Sequence, residues 1–289
     1  MRSKNDDGLI GATLRGVKSQ EYAGPVEMVH IDSGSTDHTV PIIKSFDPDK
    51  LIHIRAGDYI PGAVLNRGMR ETHSQWVVFL NSDCEPVGRR WLRDLIAAVR
   101  ASARNGAAYG AQRPRPGCQA VYAHDYERCF GPNRESTAWD HFFSMANSVV
   151  NREAWEAEPF REDLQYSEDD EWSRRLIARG WKIPYAPGAG AIHSHNYTLR
   201  QAFKRCHGEA FALAALDCVD ADALGFSRTV LAGAAKESLR DLRYCLRTGS
   251  AREWPHAVTV RVAQRLGKWK GFKKGWAHYR SATLEPAHV

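Results

Sequence analysis

Two acidic segments at the ends of candidate strands carry residue types that bind divalent cations. Residues 32–37 read Asp-Ser-Gly-Ser-Thr-Asp and follow one apolar run, and residues 81–83, Asn-Ser-Asp, follow another. A carboxylate at the C-terminal end of a parallel strand points into the crevice where α/β sheets bind ligands, and hard cations prefer carboxylate and phosphate oxygens. The two segments together therefore favour a metal and phosphate site. The first segment alone is equally typical of a turn that caps a helix.

A second group of candidates comprises the acids of residues 168–171 and the pair His193 and His195. Carboxylates at a helix start are stabilised by the helix dipole, which is one reason for their presence. The same position also keeps a carboxylate ionised, as a general base requires. Alternate residues of an extended segment share a face, so both imidazoles can reach one ion. A structural role is the alternative for each histidine taken alone.

Short apolar runs alternate with longer amphipathic stretches through the first 110 residues, and these would position the candidate groups. The predicted strands are residues 26–31, 51–54 and 76–80. The predicted helices are residues 9–19, 39–46, 63–71 and 91–103. Alternation of this kind predicts βαβ units and a parallel sheet.

The alternation stops near residue 111. The remaining predicted elements are a loop at residues 112–117, strands at 142–150 and 189–193, and a helix at 167–179. Ser167 is the predicted N-cap of that helix, and Asp170 would complete a capping box. Gly180 follows the last helical residues and predicts the C-terminal stop.

Length and cysteine usage exclude several classes of protein. The chain has 289 residues, of which 43% are apolar, enough for a sizeable core. No apolar run approaches the ~18–20 residues of a membrane-spanning helix. The six cysteines are scattered without a C-x-x-C pair, which favours reduced thiols over a disulfide framework or a zinc site. Since the first residues show no secretory signal pattern, we expect a cytoplasmic protein.

The net charge of +6 resides in the last third of the chain, where residues 199–289 carry 16 Lys and Arg against 8 Asp and Glu. Trp269, Phe272 and Trp276 recur on one helical face within the basic stretch 261–279. This composition suits an anionic membrane surface, or a helix packed on the rest of the protein with its lysines in solvent. No nucleic-acid-binding motif accompanies it, so nucleic acid is not expected as a partner. Three glycines four residues apart also share one face and predict close packing: Gly267, Gly271 and Gly275.

In their order and spacing, these motifs resemble the GT-A glycosyltransferases of family 2, and most nearly the bacterial rhamnosyltransferase-like members. The matching segments, within about residues 1–210, are 2–6 (Arg-Ser-Lys-Asn-Asp), 32–37, 81–83, 109–112 (Tyr-Gly-Ala-Gln), 168–169 and 193–197. The resemblance implies an α/β fold, with a Rossmann-like GT-A domain over residues 1–210 and a basic helical extension over residues 211–289. It also implies transfer of a sugar from a nucleoside diphosphate to an acceptor hydroxyl.

The resemblance assigns donor binding to ten residues between positions 2 and 147 of the chain. These are Arg2, Ser3, Asn5, Asp32, Ser33, Gly34, Asn66, Arg67, Ser82 and Asn147. Asp32 would hydrogen-bond the nucleobase, and the loop that contains Arg2 would line the nucleotide pocket. Asn66 and Arg67 would contact the diphosphate region, and Asn147 would lie near the donor sugar.

The resemblance also assigns the metal and the chemistry. Asp83 would hold Mg²⁺ or Mn²⁺ on the diphosphate, with His193 as the first candidate for a further ligand and His195 as the second. Asp169, next to Glu168, would be the base that deprotonates the acceptor hydroxyl. Inverting transfer needs one such base and a stabilised leaving group, so one carboxylate and one metal ion suffice.

Three features depart from the family pattern. Asn81 replaces the first Asp of the metal motif, which leaves Asp83 as the expected ligand. Arg113 and Arg115 make the loop after residue 111 basic, which suits an anionic acceptor or a solvated surface. In the family an apolar central strand precedes the first motif, whereas here the motif begins at Arg2. We therefore expect the natural protein to begin upstream, because two neighbouring strands would otherwise keep unpaired edges.

The sequence predicts a metal-dependent inverting glycosyltransferase that acts on a bacterial surface glycan or its lipid-linked precursor. The resemblance implies dTDP-rhamnose as donor, and a UDP-sugar is the alternative because Asp32 does not separate thymine from uracil. The expected location is the cytoplasm, with docking on the inner face of the cell membrane. One rival is an impaired nucleotide-sugar-binding module, which Asn81 favours. Another is a sugar nucleotidyltransferase, which the lack of a glycine cluster in residues 2–7 disfavours.

Overall fold

The computed structural model describes residues 1–139, 141–216 and 225–283, which form two compact units. The first, here the sheet unit, contains Met1–Arg115, Tyr126–Leu164 and Glu168–His193. The second, here the helical unit, contains Pro116–Asp125, Gln165–Ser167 and the described part of Ser194–Val289. The boundary predicted at residue 210 falls inside a helix of the helical unit.

The sheet unit begins with a three-stranded parallel sheet in the order β1-β2-β3. Its strands are β1 (Arg2–Ser3), β2 (Val29–Asp32) and β3 (Lys50–His53). Each strand is followed by a helix: α1 (Asp7–Lys18) after β1, α2 (Thr39–Ser45) after β2 and α3 (Pro61–Glu71) after β3. The βαβ alternation predicted for this part of the chain is confirmed, with boundaries displaced by a few residues.

A five-stranded sheet completes the unit in the order β4-β7-β6-β8-β5. Its strands are β4 (Trp76–Leu80), β5 (Glu85–Pro86), β6 (Ala107–Arg113), β7 (Asn147–Asn151) and β8 (Tyr185–Ile192). Its helices are α4 (Trp91–Arg100), α6 (Arg152–Ala157) and α7 (Glu168–Ala178), while α5 (Ala120–Phe130) has residues in both units. This sheet is mixed, because β7 runs antiparallel to β4 and β6, whereas the parallel-sheet prediction concerned the first 110 residues. This reversed strand comes after the point at which strand–helix alternation stops.

The two sheets meet at a single bridge between Arg2 and Asn81. Beyond that bridge, β2 and β4 border a pocket of about 330 Å³, lined mainly by apolar side chains that include Val29, Val77 and Trp91. β1 contributes only two residues beside this pocket.

Helix α7 presents its acidic first turn through local backbone geometry. Ser167 has a φ of 59°, which is not the extended conformation of an N-cap residue, so the predicted capping box is wrong. The C-terminal prediction is confirmed. Gly180 has a φ of 88°, its N–H donates to the Ile177 carbonyl oxygen, and the Trp181 N–H donates to the Leu176 carbonyl oxygen. These bonds form a Schellman motif.

The helical unit is built around α8 (Leu199–Leu213), α9 (Gly233–Thr248) and α10 (Trp254–Thr283), with a π-helical turn over Ser227–Ala232. The predicted close packing of the glycine stripe is confirmed. A Cβ at Gly267 would overlap the Phe203 carbonyl oxygen of α8, and one at Gly271 would overlap that of His207. Gly275 lies equally close to α8.

The aromatic stripe of α10 faces protein more than solvent. Phe272 is buried against Ala210 and Ala214, and Trp276 packs on the same cluster. Nearby lysines are exposed instead: Lys270, Lys273 and Lys274. Within the helical unit, the stripe therefore favours the packed-helix alternative over aromatic insertion into lipid.

Two further observations concern the described residues only. None of their helices is both long enough and apolar enough to cross a membrane. Five cysteines have free thiols: Cys84, Cys118, Cys129, Cys206 and Cys245. Cys218 lies outside the described residues.

Candidate active site

The buried carboxylate of Asp32 organises the loop that follows β2. Its Oδ1 accepts hydrogen bonds from the backbone N–H groups of Gly34 and Ser35, at 3.1 and 2.9 Å. Its Oδ2 accepts from the hydroxyls of Ser3 and Ser35, at 3.0 and 2.6 Å. Gly34 has a φ of 81°, which an L side chain rarely adopts. Asp32 therefore acts as the anchor of a tight turn, and its contact with a nucleobase stays a prediction.

The loop after β1 is fastened to this turn. The Asn5 side-chain oxygen accepts from the Thr36 N–H at 2.8 Å, and the Asn5 N–H donates to Ser35 Oγ at 2.9 Å. Both the N–H and the hydroxyl of Ser33 donate to the Ser3 carbonyl oxygen, at 3.0 and 2.9 Å. The structure thus brings together four of the residues predicted to line the donor pocket, together with Asp32.

Arg2 connects the two chemical motifs of the sheet unit. Its Nε donates to the Asn81 side-chain oxygen at 3.0 Å, and its Nη1 lies 3.4 Å from both Glu168 Oε1 and the Tyr59 hydroxyl. One guanidinium therefore touches the segment that holds Asp83 and the acids that begin α7. The contact also gives Asn81 a role that differs from metal binding, since its side-chain oxygen accepts from Arg2.

Asp83 and His193 form the candidate metal group. Both are buried, and His193 Nε2 lies 3.6 Å from Asp83 Oδ1. His195, the second predicted ligand, follows two residues along the chain and belongs to the helical unit. A carboxylate and an imidazole at this separation can chelate a divalent cation.

Gln112 sets the orientation of the His193 ring. Its side-chain oxygen lies 2.7 Å from His193 Nδ1 and can only accept, so Nδ1 carries the proton and Nε2 keeps the lone pair. The amide group of Gln112 donates in turn to Ser144 Oγ at 2.8 Å, and the Tyr126 hydroxyl lies 3.3 Å from Nδ1. The sequence-based site did not include Gln112, although this residue ends the Tyr-Gly-Ala-Gln segment at residues 109–112.

Asp6 is a second residue that the sequence-based site omitted. Its carboxylate accepts a hydrogen bond from the hydroxyl of Ser82, one residue before Asp83. Burial raises the pKa of Asp6, and the nearby charge of Asp83 raises it further. Ser82 is thus placed beside the metal group, and it contacts protein rather than standing open to a donor. Asp6 ends the Arg-Ser-Lys-Asn-Asp segment at residues 2–6, and its membership of this motif could have indicated a role in the site.

Asp169 has the properties of a general base. Burial raises its pKa to about 7, and the adjacent charge of Glu168 contributes in the same direction. Its Oδ1 accepts from the Asp170 N–H at 3.0 Å, and its Oδ2 from the Met145 N–H at 3.4 Å. A carboxylate with a pKa near neutrality is matched to proton transfer at physiological pH.

His141, which was absent from the sequence-based site, supports the helix turn that contains Asp169. His141 Nε2 is 2.7 Å from the hydroxyl of Ser173, and Ser173 also donates to the carbonyl oxygen of Asp169. These contacts fix the first turn of α7 and hence the Asp169 side chain. No sequence motif surrounds His141, so spacing alone offered no signal.

The predicted diphosphate contacts at Asn66 and Arg67 are not supported. Asn66 is buried, and its amide donates to the Phe160 carbonyl oxygen and to Glu162 Oε1. Its oxygen accepts from Trp155 Nε1 and the Phe160 N–H, so all of its hydrogen-bonding capacity is used within the protein. The half-exposed Arg67 lies 3.6 Å from Glu71 on its own helix.

Asn147 is likewise held by protein contacts, and its position near the donor sugar stays a prediction. It is fully buried, donates to the carbonyl oxygens of Ala111 and Ala189, and accepts from Trp91 Nε1 at 2.8 Å. A Cβ at Gly110 would overlap both Asn147 and the Ala189 carbonyl oxygen. Gly110 thereby lets β6, β7 and β8 approach closely enough to aim Gln112 at His193.

Two O-antigen rhamnosyltransferases resemble the chain in sequence. It is 28% identical to O-antigen chain rhamnosyltransferase WbaN of Salmonella anatum over 193 residues, which are 63% of this chain and 60% of that protein. It is 25% identical to O-antigen chain rhamnosyltransferase RfbN of Salmonella typhimurium over 214 residues, 70% of this chain and 67% of that protein. The chain thus matches about three fifths of the length of the first relative.

Solved structures share the fold at low sequence identity. A mannosyltransferase of Pyrobaculum calidifontis, in complex with GDP-Man and Mn²⁺, matches with a TM-score of 0.62 and 19% identity over 92% of this chain and 85% of that one. Glucosyl-3-phosphoglycerate synthase of Mycobacterium tuberculosis, in complex with Mn²⁺, UDP and phosphoglyceric acid, matches with a TM-score of 0.56 and 18% identity over 76% and 78%. The predicted GT-A fold is confirmed.

The family assignment rests on more than half of the chain. Residues 2–158 match the family described as Glycosyl transferase family 2. These residues include β1 to β7 and therefore Arg2, Asp32 and Asp83, while Asp169 and His193 come from the part that follows. The chain belongs to glycosyl transferase family 2.

Proposed function

We propose that the protein is an inverting, metal-dependent glycosyltransferase that moves a sugar from a nucleoside diphosphate to a hydroxyl group. The observation that carries the proposal is the double contact of Arg2 with Asn81 and Glu168. It links the metal-ligand motif to the base motif within one unit. A transfer reaction needs both functions at one bond, namely stabilisation of the leaving group and deprotonation of the acceptor.

The donor set of the proposed metal site fits a divalent cation. Asp83 and His193 would hold the ion, with His195 as a further ligand, and a bound ion would neutralise charge on the departing diphosphate. A set that combines carboxylate with imidazole suits Mn²⁺ better than Mg²⁺, which prefers oxygen ligands and water. Mn²⁺ is therefore the expected cofactor.

Asp169 takes the proton of the acceptor hydroxyl in this proposal. Its backbone hydrogen bonds hold the carboxylate in place, and its raised pKa makes it a stronger base than an ordinary Asp. Glu168 contributes by raising that pKa and by positioning Arg2. In-line attack from the face opposite the diphosphate inverts the anomeric carbon, and no second carboxylate nucleophile is needed.

The names of the relatives support a choice of donor and acceptor for this proposal. Both Salmonella proteins are named for rhamnose transfer in O-antigen chains, so we propose dTDP-rhamnose as donor, with UDP-sugars as the alternative. The acceptor would be a bacterial surface glycan on a lipid carrier, handled at the cytoplasmic side of the membrane. Nucleic acid is not a proposed partner.

Donor hydrolysis tests this function without knowledge of the acceptor. Purified protein would be incubated with dTDP-rhamnose, UDP-glucose or GDP-mannose, with Mn²⁺ or with EDTA, and release of the nucleoside diphosphate measured. We expect Mn²⁺-dependent release from one donor, and its loss in Asp83→Ala. Glu156→Gln, which changes an exposed acid on α6, is the control and should retain the rate.

The same assay separates the rival functions. A binding module would be stabilised in thermal shift by nucleoside diphosphates but release none from any donor and acceptor tried. A nucleotidyltransferase would instead form a nucleotide-sugar from sugar phosphate and nucleoside triphosphate. Either outcome contradicts the proposal.

A further inference from the structure

One face of α9 is apolar and exposed. Leu239 and Leu246 are 51% and 64% exposed, and Leu242 lies between them at three- and four-residue spacing. Leu231, in the π-helical turn that leads into the helix, is 58% exposed. Isolated exposed leucines are ordinary, but a row along one helix marks an interaction surface. We name this row the α9 leucine face.

Cations adjoin the α9 leucine face. Lys236, Arg243 and Arg247 are exposed and recur at spacings of seven and four residues, next to the leucines on the helix surface. The outer side of α9 therefore combines an apolar stripe with a positive one. This pairing is typical of helices that lie in the interface of a membrane.

The acids of α9 point the other way. The helix contains two, Glu237 and Asp241, and both are buried. Asp241 accepts from Arg261 at 2.7 Å and pairs with His124 at 2.7 Å, while Glu237 pairs with Arg265 at 3.0 Å. The negative charge of the helix is thus neutralised inside the helical unit, and the exposed charged residues of α9 itself are cations.

This charge separation distinguishes the possible occupants of the surface. In a twofold dimer formed through α9, the cations of one copy would face those of the other, with no exposed acid on the helix to offset them. Like charges placed opposite one another are destabilising. An anionic lipid surface supplies the complementary charge and a region for the leucine side chains.

We propose that the α9 leucine face, with its flanking cations, docks the protein on an anionic phospholipid surface. The leucines enter the boundary between headgroups and acyl chains, and the cations contact lipid phosphates. The sequence located membrane contact in the aromatic stripe of α10, and the structure points instead to α9. The inference is independent of sugar transfer, because no residue of the candidate active site takes part.

Vesicle co-sedimentation tests the inference. Full-length protein would be mixed with vesicles of phosphatidylethanolamine and phosphatidylglycerol at 3:1, and with phosphatidylcholine vesicles. We expect binding to the anionic vesicles, weakened by salt, and at least tenfold weaker binding to phosphatidylcholine. Leu239→Ser/Leu246→Ser should reduce anionic binding at least tenfold, and so should Lys236→Glu/Arg243→Glu.

Leu199→Ser provides the matched control, since it removes an exposed leucine from α8 of the same unit. It should bind vesicles like the wild type, and circular dichroism melting should show each variant folded. Equal binding of wild type to both lipids, or undiminished binding by the α9 variants, overturns the proposal. So does a wild-type dimer that the leucine variants convert to monomer in light scattering.

Discussion

Asp169 and Glu168 are adjacent carboxylates with different surroundings and different tasks. Glu168 forms an ion pair with the Arg2 guanidinium, whose Nη1 lies 3.4 Å from Glu168 Oε1. Asp169 is held by backbone N–H groups, and burial with the charge of its neighbour raises its pKa to about 7. Two neighbouring acids are thereby separated into one that anchors Arg2 and one that can exchange a proton near neutral pH.

The rate of transfer should depend on ionisation of Asp169. The base acts only when deprotonated, so kcat/KM should fall about tenfold per pH unit below about pH 7 and level off above it. A pH profile of sugar transfer from pH 5.5 to 8.5 measures this. Asp169→Asn should abolish transfer while donor affinity changes by only a few fold. Collapse of donor binding in this variant would make the residue structural.

Gln112 should govern metal affinity through His193. Gln112→Leu removes the acceptor that holds the Nδ1 proton, so Nε2 loses its fixed orientation. Mn²⁺ affinity should fall about 10- to 100-fold, as for other residues that orient a metal ligand. Isothermal titration with Mn²⁺ checks this, alongside a thermal melt without metal. An unchanged Kd in a folded variant would contradict the prediction.

At the scale of elements, glycines decide how closely backbones approach. Gly267, Gly271 and Gly275 let α10 lie against the carbonyl groups of α8, and Gly110 does the same between strands of the sheet unit. Each glycine weakens its own helix or strand, because it adds conformational freedom to the unfolded chain. The close contacts between backbones offset this cost. A side chain at any of these glycines would overlap the neighbouring backbone and push the two elements apart.

Gly271→Ala should destabilise the helical unit by about 1–3 kcal/mol, although Ala is the better helix former. The added methyl would overlap the His207 carbonyl oxygen and Ala210. Gly8→Ala is the matched control, because open space surrounds that position on α1, and it should be neutral or slightly stabilising. Urea unfolding followed by circular dichroism measures both. A stabilised Gly271→Ala would refute close packing as the reason for the glycine.

The elements show which parts of the structure were accessible from sequence. The run of apolar residues predicted the bounds of β4 correctly, at residues 76–80. The positions of Asp32 and Asp83 at the ends of strands could also be predicted, because each comes just after an apolar run. The roles of Asn66 in α3 and Asn147 in β7 are harder to predict, because a buried amide looks the same in sequence whether it binds ligand or protein. Their hydrogen bonds reach residues 36 to 96 positions away, and one sequence carries no signal of such contacts.

At the scale of the whole molecule, charge divides along the chain. Residues 1–198 carry 24 Lys and Arg against 26 Asp and Glu, and the net charge of +6 arises from the part that follows. The sheet unit nevertheless buries one ionisable side chain that makes no hydrogen bond within the described residues. This is His30 of β2, which is fully buried and whose two ring nitrogens have no bonding partner there.

Acid should destabilise the fold through His30. Burial lowers its pKa to about 3 from an ordinary 6.5, so between these values the unfolded chain binds a proton that the folded chain does not. Stability from this group is present above pH 6.5 and decreases by about 1.4 kcal/mol per pH unit below it. Urea midpoints at pH 7.5 and 5 measure the slope. His30→Leu should flatten it, and a slope equal to the wild type would exclude His30 as its source.

The apolar pocket between β2 and β4 has a mechanical consequence. The pocket of about 330 Å³ is lined mainly by apolar groups and offers water few hydrogen-bond partners. Loss of such poorly filled space on unfolding is one source of the volume decrease that pressure exploits. Hydrostatic pressure favours the state of smaller volume. The sheet unit should therefore yield to compression at pressures that leave the glycine-packed helices intact, and tryptophan fluorescence under pressure would follow Trp76 and Trp91 as water enters between the strands.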